Sequence, residues 1–187
     1  MMEKSKYTKL SVTEMNRLTT DEFAKVKKVP LVVVLDNVRS QHNVGSVFRT
    51  ADAFRLEGVW LCGICCTPPN QEIHKTALGA ETTVDWKYFK NTLDAVNELH
   101  RQGYNVFAIE QAENSITLQN IDLTQFNKEN GKYAVVLGHE VFGVNQEVIN
   151  NCDACIEIPQ YGTKHSMNVS VTAGIVMYEL SNKLKPV

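Results

Sequence analysis

Residues 31–54 read LVVVLDNVRSQHNVGSVFRTADAF, and the fold turns on how this stretch divides. Leu31, Val32, Val33, Val34 and Leu35 form an unbroken apolar, largely β-branched run of buried-strand length. A strand that is apolar on both sides needs cover on both sides, which points to a parallel sheet. From Asn43 the period changes: Val44, Val47, Phe48, Ala51 and Phe54 recur at helical spacing. Asn43 is a suitable N-cap for that helix. A strand, a polar link and a helix make one β–α unit.

The alternation continues on either side. Thr19 and Glu22 make a capping-box pair before FAKVKK and predict a helix. GVWLCGI (58–64) predicts the next strand, and 92–102 a helix stopped by Gly103. NVFAIE (105–110) and YAVVLG (133–138) predict strands, followed by a short helix at 146–150. ACIEIP (154–159) predicts the last strand and 168–180 the last helix. Apolar strands alternating with helices imply an α/β fold, a mainly parallel sheet with helices on both faces. The chain of 187 residues, 43% hydrophobic, suits one core. The expected division is an N-terminal helical extension at 1–29, too short to fold alone, and a single domain at 30–187.

A net charge of −2 excludes a uniformly basic nucleic-acid coat. It leaves local patches: Lys25, Lys27 and Lys28, with Lys4, Lys6, Lys9 and Arg17 nearby in sequence. The opening MMEKSKYTKL lacks the apolar centre of a signal peptide. No apolar run approaches the roughly 20 residues that span a bilayer, so no membrane partner is expected. Five cysteines, an odd number, imply reduced thiols and a cytoplasmic setting. Cys62/Cys65 and Cys152/Cys155 have the spacing of zinc knuckles. They lie in VWLCGICC and next to CIEIP, however, where cysteine acts as a small buried hydrophobe. No metal site is expected.

In such a sheet the ligand lies beyond the carboxyl ends of the strands. Three loops there are rich in polar chemistry: the one after LVVVL, HEVFGVNQE after YAVVLG, and QYGTKHSMNVS after CIEIP. The usual nucleotide motifs are missing. There is no G-x-G for a dinucleotide fingerprint, and neither Gly58/Gly63 nor Gly138/Gly143 is followed by the Lys-Ser/Thr of a phosphate-binding loop. No G-x-S-x-G elbow occurs either.

At these three loops the sequence resembles the SpoU (TrmH) branch of the SPOUT methyltransferases. NVGSVFRTADAF matches the first family motif through Asn43 and Arg49; VVLGHEVFGV matches the second through Gly138, Glu140 and Gly143; IPQYGTKHSMNVS matches the third, with Met167 where the family has Leu. KTALGAE (75–81) is also similar to a family segment, and the resemblance covers roughly residues 30–180. It implies transfer of a methyl group from S-adenosylmethionine to a ribose 2′-hydroxyl in tRNA or rRNA. It further implies a C-terminal deep trefoil knot holding the cofactor, and a homodimer.

Carried over residue by residue, the resemblance makes Gly138, Ile158, Ser166 and Met167 cofactor-binding. Gly138 would allow close backbone approach, with Ile158 and Met167 as apolar walls. Arg49 is the residue on which catalysis turns. It either accepts the ribose proton or, since arginine stays protonated, grips the neighbouring phosphate in a planar fork. Asn43, Glu140, Ser166 and Asn168 are expected around it, Glu140 as its ion-pair partner and Asn168 also as a helix cap. His42, Lys164 and His165 either touch RNA phosphate or are simply solvated. Two rival readings remain at this point: an RNA-binding paralogue without catalysis, and a base-modifying enzyme of the same superfamily.

Overall fold

The computed structural model describes residues 7–11, 13–126 and 131–184. Lys4 and Lys6 lie outside the described residues. A seven-stranded sheet runs β3-β2-β1-β6-β4-β7-β5, with every pairing parallel. Its strands are β1 (Val29–Asp36), β2 (Leu56–Cys62), β3 (Trp86–Phe89), β4 (Tyr104–Ile109), β5 (Ile116–Thr117), β6 (Lys132–Leu137) and β7 (Ala154–Glu157). The helices are α1 (Thr20–Lys25), α2 (Gln41–Ala53), α3 (Gln71–Ala77), α4 (Thr92–Arg101), α5 (Gln146–Asn150) and α6 (Val169–Lys183).

The β-branched run of β1 lies at the sheet centre, with Leu31–Leu35 paired to β2 on one side and β6 on the other. Alternate side chains feed two cores. Leu31, Val33 and Leu35 pack with Val44, Phe48, Ile73, Ala173 and Met177 of α2, α3 and α6. Val32 and Val34 pack with Val96, Leu99 and Val148 of α4 and α5. Helices therefore cover both faces, as the apolar strands require. Each fully buried side chain of this kind contributes about 1.5–3 kcal/mol through burial.

α1 carries the predicted capping box, Thr19 and Glu22 each bonding the other's backbone N–H. Asn43 is not the cap of α2. That helix begins two residues earlier, and Ser40 Oγ accepts from Asn43 N at 3.3 Å. Asn168 does cap α6, accepting from Ser170 N at 2.8 Å and Val171 N at 3.4 Å. β3 and α3 went unpredicted, because Trp86, Lys87 and Tyr88 are exposed and α3 has only seven residues. Among the described residues no helix is long and apolar enough to cross a membrane.

Candidate functional site

The loops after β4, β6 and β7 converge on one cavity of about 830 Å³. The loop after β6 is closed on itself: His139 N donates to Gly143 O at 3.0 Å, and Gly143 N returns to His139 O at 2.9 Å. Gly138 makes this possible, since a Cβ there would meet the Gly143 carbonyl carbon at 2.0 Å and Val144 N at 2.1 Å. The space that Gly138 leaves is thus taken by the chain itself, while the residue still lines the cavity. Ile158, Ser166 and Met167 line it from the loop after β7.

Glu110, at the end of β4, is a functional candidate that the sequence reading missed. Its carboxylate accepts from Gln111 N at 2.9 Å and Val144 N at 3.0 Å, and it lines the cavity. Gly143 has φ +68°, and a Cβ there would meet Glu110 Oε2 at 2.1 Å. Carboxylate and glycine together seat the loop against β4. As the last letter of NVFAIE, Glu110 reads only as a strand end; a lone acid ending an apolar strand at the carboxyl edge was the available signal.

Glu140 borders both the main cavity and a smaller one of about 300 Å³ lined by Arg39, Ser40 and Asn43. It accepts from Ser40 N at 2.9 Å, Arg39 N at 3.1 Å and Asn43 Nδ2 at 3.2 Å. Asn43 Oδ1 in turn accepts from Asn168 Nδ2 at 3.1 Å. A chain of hydrogen bonds thus links all three polar loops. Burial pushes the Glu140 carboxyl up, but the amide donors of Ser40 and Arg39 and the side chain of Asn43 outweigh it and hold the group below its ordinary value.

Arg49 is not part of this cluster, and the expected Glu140–Arg49 ion pair is not formed. The Glu140 carboxylate is satisfied by Arg39, Ser40 and Asn43 at the start of α2, whereas Arg49 lies six residues beyond Asn43, about 9 Å along the axis at 1.5 Å per residue. Arg49 is exposed and lines a separate concavity of about 790 Å³ with Arg17, Leu78 and Gly79. Among the lesser candidates, His42 Nε2 pairs with Glu72 Oε2 at 2.9 Å, while Lys164 and His165 are exposed. Lys28 sits over the Phe23 ring and bonds its carbonyl. Burial lowers the Lys28 pKa.

Burial pushes the thiols of Cys62 and Cys152 up to about 12 and that of Cys65 to about 11. Among the described residues no cluster of three or more His, Cys, Asp or Glu is set to hold a metal.

A parallel α/β sheet with a cavity at its carboxyl edge, built from the loops after β4, β6 and β7, defines the class of open α/β proteins whose ligand sites lie beyond the carboxyl ends of their strands. The chain belongs to the SpoU rRNA Methylase family, whose model matches residues 30–178. It is 32% identical over 87% of its length to a Staphylococcus aureus protein named for the TrmH family of tRNA/rRNA methyltransferases. It is 31% identical over 85% to the 23S rRNA (guanosine-2′-O-)-methyltransferase of Neisseria meningitidis. The chain spans 64% and 61% of the lengths of these relatives. Among solved structures it resembles an AdoMet-bound rRNA methyltransferase from Sinorhizobium meliloti, with TM-score 0.74, 26% identity, and coverage of 89% of this chain and 60% of that one.

Proposed function

We propose that this protein transfers a methyl group from S-adenosylmethionine to a ribose 2′-hydroxyl of tRNA or rRNA. The observation that carries the reading is the cavity that gathers Gly138, Ile158, Ser166 and Met167 and borders the Glu140–Asn43–Asn168 chain. Its residues fit the cofactor. A volume of about 830 Å³ lies within the usual few hundred to about 1,000 Å³ of small-molecule sites, and apolar Ile158 and Met167 stand beside an exposed Ser166 hydroxyl. When bound, S-adenosylmethionine supplies a methyl carbon that forms a bond to the ribose oxygen as its bond to sulfur breaks.

The protein's task in such an in-line displacement is alignment. Glu140 fixes the start of α2 through the Arg39 and Ser40 amides, and Asn43 passes that position to Asn168 at the start of α6. The mouth of the cavity is thereby held rigid. The 2′-hydroxyl must lose its proton: either a neutral Arg49 receives it, or a protonated Arg49 fixes the adjacent phosphate while the proton passes to water.

Arg49 lies outside the cavity of its own chain, so the reading includes a homodimer in which Arg49 serves the partner's cavity. Val171, Ile175 and Tyr178, 53%, 39% and 59% exposed, form an apolar stripe along α6, which packs on the helix that carries Arg49. A second copy is the occupant that puts an Arg49 beside a cavity. The reading also includes the deep trefoil knot; an experimental structure whose chain straightens when pulled from both ends would remove it.

Two measurements test the function. Titration calorimetry should give S-adenosylmethionine binding, and absence of heat at millimolar cofactor would sink the reading. Nuclease digestion and mass spectrometry of RNA incubated with protein and cofactor should locate the added mass on ribose. Mass found on a base would instead identify a base-modifying enzyme.

A further inference from the structure

Beside the start of α2 lies an open concavity of about 540 Å³, lined by Cys65, Cys66, Thr67, Asn70, Trp86 and Tyr88. It has no charged lining residue. Trp86 and Tyr88 stand on one face of edge strand β3, 36% and 47% exposed. Side chains two apart on a strand are spaced by roughly 6.6 Å, which leaves room for a flat ring between or against them. Tyr88 is already anchored: its hydroxyl donates to Gly63 O at 2.8 Å. The opposite face of the strand is in use, with Lys87 Nζ 4.7 Å from the Trp60 ring centre.

Position gives this face its meaning. Gln41, the first residue of α2, donates from Nε2 to Cys66 Sγ at 3.2 Å. One residue before Gln41, Ser40 binds Glu140 through its N–H. The aromatic concavity and the candidate site are thus both tied to the same helix start.

We propose that Trp86 and Tyr88 form a stacking subsite for an unpaired base of the RNA, next to the nucleotide held at the main cavity. The inference rests on the RNA reading above and deepens it. A neutral, aromatic-walled concavity suits the uncharged face of a base, and stacking of this kind is sequence-tolerant. A folded protein partner would find here only a short four-residue strand with two rings.

The protein has two tryptophans, and Trp60 is buried at 5% exposure, so a base that stacks from solvent changes the emission of Trp86 over a constant contribution from Trp60. Titration with short oligoadenylate should quench its fluorescence, whereas an abasic oligonucleotide of equal length should not. Trp86→Ala and Tyr88→Ala should each weaken oligoadenylate binding roughly 5- to 150-fold, the loss expected for one stacked base, with S-adenosylmethionine affinity unchanged. Trp86→Phe, which keeps a ring, should retain most of the binding but lose the signal, and it guards against a folding defect. Equal quenching by the abasic strand overturns the subsite, as do wild-type binding by both alanine variants and a fluorescence change that follows protein concentration without RNA. Quenching by oligoadenylate in a protein that transfers no methyl group would sink the enzymatic reading and leave the subsite standing.

Discussion

The side-chain amide of Asn168 donates to Asn43 Oδ1 at 3.1 Å across 125 residues of chain. The same Asn168 caps α6 with its Oδ1. One residue therefore starts a helix with its acceptor and ties two loops together with its donor.

The two roles separate in two variants. Asn168→Ala loses both and should cost about 0.5–2 kcal/mol from the cap alone. Asn168→Asp keeps the acceptor but has no donor for Asn43, so its melting temperature should stay near wild type while methyl transfer falls at least tenfold. Thermal melts beside single-turnover transfer make the comparison. Full transfer by the aspartate variant would reduce the Asn43–Asn168 bond to decoration.

Glu140 carries a prediction in pH. Its carboxyl is held below the ordinary 4.5 because the amides of Ser40 and Arg39 and the Asn43 side chain outweigh burial. A depressed folded pKa contributes stability that is present above the unfolded value and lost as pH falls through the folded one. Denaturant titrations from pH 6 down to about pH 3 should therefore show a smaller acid loss for Glu140→Gln than for wild type. Parallel curves would mean that Glu140 is not held this way.

Arg49→Ala should leave cofactor affinity intact and lower transfer by roughly 10²–10⁴, the usual loss for a well-placed base or clamp. Arg49→Lys should restore little if the planar fork matters. A mixed dimer of Arg49→Ala with Asn168→Asp should regain activity over either parent, because one of its two cavities then has both native residues. No gain on mixing would refute the sharing of Arg49 between copies.

Gly143 has φ +68° and no room for a Cβ beside Glu110. Gly143→Ala should lower stability by about 1–3 kcal/mol through backbone strain and weaken S-adenosylmethionine binding, because the loop it closes lines the cavity. Calorimetry and melting curves suffice, and unchanged cofactor affinity would detach this loop from binding.

Much of this architecture was legible in the sequence for a physical reason. β1, β4 and β6 are apolar on both sides, and such runs have no other stable home than the middle of a covered sheet. β3 escaped because an edge strand with Trp86, Lys87 and Tyr88 exposed carries no burial pattern. At the site, the motifs drew attention to Gly138, Glu140, Ile158, Ser166 and Met167, and all five line one cavity. For Asn43, helical spacing alone suggests a cap, a role that Ser40 fills, whereas its grouping with Glu140 and Asn168 came from the motifs, since spacing shows no partner 97 residues away. The expected pairing of Arg49 with Glu140 rested on motif membership and opposite charge, which do not register that Arg49 lies six residues, more than one and a half turns, beyond Asn43.

The sheet order has a consequence for how the protein is made. β6 lies between β1 and β4, with Leu31 facing Tyr133 on one side and Tyr104 facing Lys132 on the other. The middle of the sheet is therefore completed by a strand synthesised after both its neighbours, and Gly138 and Glu140 follow directly at its end. A nascent chain that has emerged only through β4 has β1, β2 and β3 for one side of the sheet, β4 alone for the other, and no strand to join them. Closing it means bringing together segments about a hundred residues apart, the kind of distant pairing that makes folding slow. Ligand binding then cannot precede folding: the cavity exists only in the finished chain.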